Sequence, residues 1–384
     1  MAASIKRKEV SVRHVPDEYS VLPWPSRIHQ NGAVSERVPV ETLRELSEAL
    51  FQAAGLTPPD ARICTGAFLL QEMRGVTTHG LRRLRSNLEG LRRGSLNAKA
   101  NRRVLRDFGA GVVLDGDRGI GVLGCMEAMD RAVARAKAQG LGMAVVVNTN
   151  HFLGAAPYCL RALEADAIGI AFSNSYASMS YPGSAAAVLG NGPFGYAVPT
   201  DAGFPLVYDA AMTTSSGKLN QWAREGVPIP EGFAGLDALG ELTTDPNAVL
   251  DGGATLPIGL HKGAGLTLLV EILTGVLGGG SFLHGAAPEE AAWRMDTHSQ
   301  CCIAIDIERF MPVAELRHRT AAYVREIKAA PRATGQDEVL LPGERAHRSY
   351  EDCLEHGVLL EDDVRAELTS TAQRFGVATG LDEP

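Results

Sequence analysis

The chain has 384 residues, 45% hydrophobic and 21% charged, with 42 glycines and a formal net charge of 37 − 45 = −8. This balance excludes a disordered, collagen-like or coiled-coil chain, leaves room for two or three domains, and argues against general nucleic-acid affinity. Glycine at roughly 11%, against a usual ~7%, points to tight turns or to backbone that approaches a ligand closely.

Residues 1–36 are polar, carry Pro16, Pro23 and Pro25, and show no sustained period. They read as an N-terminal arm and lack the apolar core of a signal peptide. From Val40, Leu43, Leu46 and Leu50 recur at helical spacing, and Gly55 supplies a stop. Thr57-Pro58-Pro59-Asp60 is a cap followed by early prolines, so a second helix is expected from there to about Gly75. A third carries Leu81, Leu84, Leu88 and Leu91 on one face and ends at Gly94. Its other faces hold Arg82, Arg85, Arg92 and Arg93, which read as a solvated face rather than an anion site.

Val112–Leu114, Met143–Val147, Ile168–Phe172, Tyr196–Val198 and Leu206–Tyr208 are short apolar runs bounded by turn residues and predict strands. Helices are expected near 122–138 and 155–165. The apolar stretch Gly263–Leu277, with Leu266, Leu269, Val270, Leu273 and Leu277, predicts a buried helix. A strand over Cys301–Ile307 is followed by amphipathic helices around 313–329, 344–355 and 361–374. The organisation expected is an arm over 1–36, a helical part over 37–115, a central α/β part over 116–309, and a second helical part over 310–384. The six cysteines show no C-x-x-C spacing and read as reduced structural thiols. No apolar run approaches the ~20 residues needed to cross a bilayer, so no membrane partner and a cytoplasmic location are expected.

Gly119-Ile-Gly121-Val-Leu-Gly124 matches G-x-G-x-x-G after a strand and before a helix, the context of a dinucleotide-binding turn. Yet the next strand ends in Asn148-Thr149-Asn150 without an acidic residue, and about 110 largely helical residues come first. A glycine-rich helix start is the preferred reading.

Four segments carry more polar chemistry than a core requires. In Thr78-His79-Gly80-Leu-Arg-Arg83, the histidine and the arginine four residues on share one helical face. Such a pair can protonate a developing alkoxide while gripping a neighbouring carboxylate, although a capping Thr78 and a surface histidine would look the same. Asn148-Thr149-Asn150-His151-Phe152 follows a strand that looks fully buried, where α/β sites often lie; a satisfied loop histidine is the alternative. Asp209 follows the Leu206–Tyr208 strand and is able to orient an imidazole or to cap a helix. His261-Lys262-Gly263 opens the long apolar helix, where N–H groups and a lysine suit a phosphate. The three histidines show no metal-ligand spacing, so no metal is expected.

These marks, with Arg74-Gly75, Asp115-Gly116-Asp117, Ser173-Asn174-Ser175, Pro182-Gly183, Leu189-Gly190-Asn191-Gly192-Pro193 and Leu341-Pro342-Gly343-Glu344, occur in order from about Val38 to the C-terminus. The sequence thereby resembles the malate/L-lactate dehydrogenase-like (sulfolactate dehydrogenase-like) family, which includes diketogulonate, ureidoglycolate and cyclic-imine carboxylate reducers. The resemblance implies an α/β, non-Rossmann NAD(P)-binding fold: a central, largely antiparallel or mixed sheet with a discontinuous helical domain, assembled as a homodimer. It implies that His79 is the proton donor, with Thr78 and Asp209 beside it, and that Arg83 binds the carboxylate of a small substrate. Asn150 and His151 then line the substrate pocket. The cofactor segments fall on Pro205-Leu206-Val207-Tyr208-Asp209-Ala210-Ala211, on His261-Lys262, and on Gly343-Glu344-Arg345. The implied reaction is hydride transfer between NAD(P)H, either NAD or NADP, and C2 of a 2-oxo or 2-hydroxy acid. A cyclic 2-imino acid reductase and a catalytically silent NAD(P)-binding protein are the alternatives. Thr78 stands where the family has serine, Gly190-Asn191-Gly192-Pro193 replaces Gly-Thr-Asn-Pro, Phe152-Leu153-Gly154 replaces Phe-Gly-Ala, and the chain after Asp209 is one residue short before Gly217-Lys218. These departures bear on substrate more than on reaction.

Overall fold

The computed structural model describes residues 37–215, 217–230, 232–286 and 297–381. The N-terminal arm expected over 1–36 lies outside the described residues.

Seven strands form the central sheet: β1 (Arg103–Phe108), β2 (Gly111–Asp115), β3 (Leu141–Thr149), β4 (Ala167–Ser173), β5 (Phe194–Val198), β6 (Leu206–Ala210) and β7 (His298–Asp306). Their spatial order is β1-β2-β3-β7-β4-β5-β6. Only β2 and β3 run parallel; the other five pairs are antiparallel. The sheet therefore begins at Arg103: Arg103–Phe108, for which the sequence predicts no strand, pairs with the strand expected at Val112–Leu114, so 103–115 belongs to the sheet and not to the helical part. β3 reads LGMAVVVNT, apolar on both faces, because helices cover it on both sides.

The first face is covered by α4 (Gly121–Gln139) and α5 (Ala156–Leu163), the helices predicted near 122–138 and 155–165. Cys125, Ala128, Met129, Ala132, Tyr158 and Cys159 pack there against Ala144, Val146, Ala171 and Cys302. Small residues let helix and strand approach: a Cβ at Gly169 would lie 2.7 Å from the Cys159 carbonyl oxygen. The opposite face carries α6 (His261–Glu271), which continues as a π-helical turn over Ile272–Val276. Cys301 faces this side and Cys302 the other, as strand alternation requires, and all six cysteines are free and buried.

The apolar α6 stretch is not buried as expected. Gly263, Ala264, Thr267, Val270, Glu271, Thr274 and Gly275 face the protein, whereas Leu266, Leu269, Ile272 and Val276 remain 48–51% exposed. Small residues bring the helix close to its neighbours and leave the bulky ones outside.

The helical unit is discontinuous. The helices α1 (Val40–Ala53), α2 (Pro58–Met73) and α3 (Leu84–Arg93) share a core with α8 (Glu344–His356) and α9 (Asp362–Phe375). Arg37–Val38 pairs antiparallel with Val358–Leu359 and ties the two ends together. Thr57 caps α2 through Asp60, and Gly94 ends α3 in the left-handed conformation. The arginines expected on a basic face form surface ion pairs: Arg82, in the turn before α3, binds Glu361 and Asp363, and Arg92 of α3 binds Glu89. The helix α7 (Val313–Lys328) lies apart from that core and packs on Phe204 and Leu341. Among the described residues no helix is long and apolar enough to cross a membrane.

Candidate active site

After α2 the chain makes two consecutive 3-10 turns, Thr77–His79 and Leu81–Arg83, joined at Gly80. Glu72 of α2 fixes the junction by accepting from the Leu81 N–H at 2.8 Å. A side chain at Gly80 would collide with that carboxylate, so glycine is required for the fit. Burial holds the Glu72 carboxyl up at about 7 despite this hydrogen bond.

The turn presents His79. Its Nδ1 lies 2.9 Å from the Thr78 hydroxyl, a contact that serine would make equally. Arg83 is exposed, and its side chain donates Nε–H to the Thr78 carbonyl at 3.3 Å and makes no other hydrogen bond among the described residues. Its terminal N–H groups have no hydrogen-bond partner among those residues. Burial first, and the Arg83 charge second, hold the His79 imidazole down at about 4; Asp209 opposes them and loses.

The second histidine comes from the end of β3. Asn148 and Leu153 take left-handed backbone conformations, φ 57° and 69°, and bend the chain over the sheet edge. The Leu153 N–H donates to His151 Nδ1 at 3.0 Å, so neutral His151 carries its proton on Nε2. The His79 and His151 rings stack with centroids 5.5 Å apart and 22° between their planes. Burial, then Arg83, keeps His151 well below its usual titration range. The structure thus brings the His79 and His151 rings together, with Arg83 bonded to the same turn as His79.

Asn150 is placed differently. It is 1% exposed, and its side-chain carbonyl accepts from the N–H of Gly121 at the start of α4. Its main-chain oxygen accepts from Gln300. The residue expected to line the substrate pocket thus braces the sheet against α4. The same bond explains Gly119–Gly124: the helix's first N–H is already occupied, and side chains at Gly121 or Gly124 would strike Asn150 or Thr149.

Asp209 also departs from expectation. Its oxygens accept from the Ala155 and Ala156 N–H groups at 3.0 and 2.9 Å, and from Gln71 at 3.3 Å. It therefore caps α5 and ties it to α2. It reaches His79 only as a nearby charge, and the group that touches Nδ1 is Thr78. Arg74, 7% exposed, is a second charge facing Asp209.

The three segments expected to hold a cofactor form one connected ribbon. The Val207 N–H donates to the Pro342 carbonyl, which sets Gly343 against the outer edge of β6. Beyond β6, Thr214 donates to Leu256, and Ile258 to Met212, so the chain leading to His261-Lys262 is zipped to the chain after Asp209. A Cβ at Gly217 would lie 3.2 Å from Thr78, so the ribbon folds back over the His79 turn. Pro205, Leu206, Tyr208, Ala210 and Ala211 are half-buried, and His261 and Lys262 are exposed rather than set at a buried helix start. Leu260 turns the chain there with φ 51°. Glu344 differs in kind: Lys328 and Arg348 hold its carboxylate at 2.6 Å each, so it is a structural anchor. Arg345 beside it is exposed.

Two further residues belong to this neighbourhood and were not singled out from the sequence. His298, 2% exposed, has its ring 6.1 Å from that of His151. Glu271 of α6, 4% exposed, lies within electrostatic reach of His298. One signal was available: Glu271 is the only Asp, Glu, Lys or Arg between Lys262 and Glu289 in an otherwise apolar stretch.

The family sequence model described as malate/L-lactate dehydrogenase matches residues 38–369. A malate dehydrogenase of Pyrococcus abyssi is 32% identical, with 91% of this chain and 98% of the relative covered. An L-sulfolactate dehydrogenase of Methanocaldococcus jannaschii is 33% identical over 80% of this chain and 89% of its own. Among solved structures, the malate dehydrogenase from Entamoeba histolytica superposes with a TM-score of 0.85 at 25% identity, covering 89% of this chain and 99% of that one.

Proposed function

Because the chain belongs to the malate/L-lactate dehydrogenase family of oxidoreductases, we propose that it reduces C2 of a small 2-oxo acid with NADH or NADPH, or runs the reverse oxidation. The observation that carries this reading is the Thr78–His79–Arg83 turn, whose His79 ring stacks on that of His151, with the Arg83 charge acting on both imidazoles.

Residues for the dinucleotide fit the arrangement. The non-Rossmann site would be the ribbon of Pro205–Ala211, His261-Lys262 and Gly343–Arg345, with exposed Lys262 at the N-terminal end of α6 supplying charge for a phosphate. The bound nicotinamide supplies the hydride. Arg83 grips the substrate carboxylate with its two terminal nitrogens, which fixes C2 relative to the imidazoles. His79 delivers a proton to the oxygen at C2, and Thr78 orients the ring from Nδ1. His151, with its proton on Nε2, is a hydrogen-bond donor to the same substrate.

The test is a panel of pyruvate, oxaloacetate, sulfopyruvate and Δ1-piperideine-2-carboxylate, each with NADH and with NADPH, followed at 340 nm. At least one 2-oxo acid is expected to be turned over. Cofactor binding without oxidation by any of them would favour a silent binding protein, and turnover of the cyclic imine alone would favour the imino-acid reductase.

The assembly proposed is a homodimer. Leu266, Leu269, Ile272 and Val276 form one exposed stripe at helical spacing, too apolar for a solvated surface, and a second copy of the chain would cover it. Leu269→Asp with Ile272→Asp is expected to halve the mass seen by sedimentation while leaving the circular dichroism of the fold intact. An unchanged mass would remove this face from the interface.

A further inference from the structure

Glu271 has no assigned task, yet its setting is costly. Its residue is 4% exposed, and the carboxylate closes no hydrogen bond of good geometry among the described residues, although the Ser175 and Leu283 N–H groups and the Asn174 amide lie around it. An underused buried carboxyl destabilises a fold unless something else requires it. Space is kept for it: a Cβ at Gly190 would lie 2.6 Å from Oε1. The helix leaves α geometry directly after it, in the π-helical turn Ile272–Val276, a distortion found often at functional sites.

From Glu271 the line of groups runs inward. Among the described residues, His298 at the first position of β7 is the titratable side chain whose charge reaches the carboxyl; the Asn174–Ser175 segment, the Leu283 turn and the Gly190 turn bring amides and bare backbone. On its other side the His298 ring meets that of His151 at 6.1 Å, tilted by 51°, and His151 stacks on His79. Arg83 is the further charge that faces both His151 and His79, and Asp209 reaches His79 from α5's side. The Asn174 side chain locks the frame, accepting from the Ser299 N–H at 2.7 Å and donating to the Ser281 carbonyl at 2.8 Å.

Resting on the reductase reading above, we infer that Glu271 and His298 are positioning residues for the His151–His79 pair: Glu271 holds His298, and His298 sets the ring and charge of His151 from behind. Neither touches substrate. Their effect passes to the proton donor through two ring contacts, and it couples α6, whose first turn carries His261-Lys262, to the acid–base turn. Burial holds the Glu271 carboxyl up at about 7, so its charge appears within the working pH range.

The experiment compares Glu271→Gln and His298→Gln with the intact chain by two readouts. Nearly isosteric Glu271→Gln removes a negative charge that favours imidazolium, so the falling limb of kcat against pH for 2-oxo acid reduction should move lower, by up to about one unit. His298→Gln should lower kcat about tenfold or more, since a misplaced reacting group costs up to about 10²-fold, with cofactor KM within about twofold. The second readout is the imidazole C–H NMR signals of His151 and His79 through a pH titration of the folded protein. Both variants should shift them. Signals and pH limbs that superimpose on those of the unmodified chain would overturn the inference, as would a kcat loss matched by the unfolded fraction. If the unmodified chain turns over no 2-oxo acid, the reductase reading fails, and the NMR titration still decides whether the line of contacts operates.

Discussion

His79→Gln is expected to lower kcat by about 10²–10⁴, the usual contribution of a positioned general acid, with nucleotide binding unchanged by fluorescence titration. Glutamine keeps the volume and a hydrogen bond to Thr78, so the 3-10 turn and its Glu72 anchor survive. A variant within tenfold of the parent would remove His79 as the donor. The pH dependence carries a sign that follows from the geometry. In the ligand-free enzyme, burial and Arg83 hold His79 at about 4, so the imidazole is neutral at pH 7. A substrate carboxylate bound to Arg83 adds a negative charge that offsets the Arg83 charge, and this favours the imidazolium. The kcat profile for reduction, which reports the complex, should therefore fall at higher pH than the kcat/KM profile, which reports the free enzyme. Coincident profiles would mean that carboxylate binding does not charge the histidine.

Replacement of Arg83 is the second large effect. Arg83→Met should lower kcat/KM by roughly 10- to 100-fold through KM, since a hydrogen bond to a charged group contributes about 1.5–3 kcal/mol. Arg83→Lys should fall between, because the ammonium retains charge but not the two-pronged fit. The residue is exposed and held only through Nε, so the fold should tolerate both changes, with unchanged thermal unfolding as the control. In Arg83→Met the His79 signal should also titrate at higher pH, because the charge that depresses it is gone. Substrate KM within twofold of the parent would remove Arg83 from the carboxylate site.

The sequence showed the site unevenly, and the unevenness has a cause. Thr78, His79 and Arg83 lie within six residues, so one pair of turns brings them together and their spacing was readable. His151 was identified by its place after a buried strand, an architectural regularity. Asn150 and Asp209 stand out equally in sequence, but their partners, Gly121 for one and Ala155, Ala156 and Gln71 for the other, are 29 to 138 residues away. A polar residue beside a site and a polar residue bracing a site look alike until those partners are known. Glu271 and His298 drew no notice for the same reason: each has its meaning only through the other.

What the sequence determined by itself was local: the approximate place of most helices, six of the seven strands of the central sheet, and that Thr57 and Gly94 bound their helices. Caps, periodicity and alternation act within a few residues, so they survive translation into pattern. Tertiary structure alone decided the sheet order, the bracing roles of Asn150 and Asp209, the exposure of the α6 leucines, and the depressed basicity of His79. Each of these sums contributions from groups distant in the chain. An apolar helix signals that it must be covered, but its sequence does not say whether its own chain or a second copy covers it. An imidazole's proton affinity depends on burial and on every charge nearby, and only the folded chain sets both.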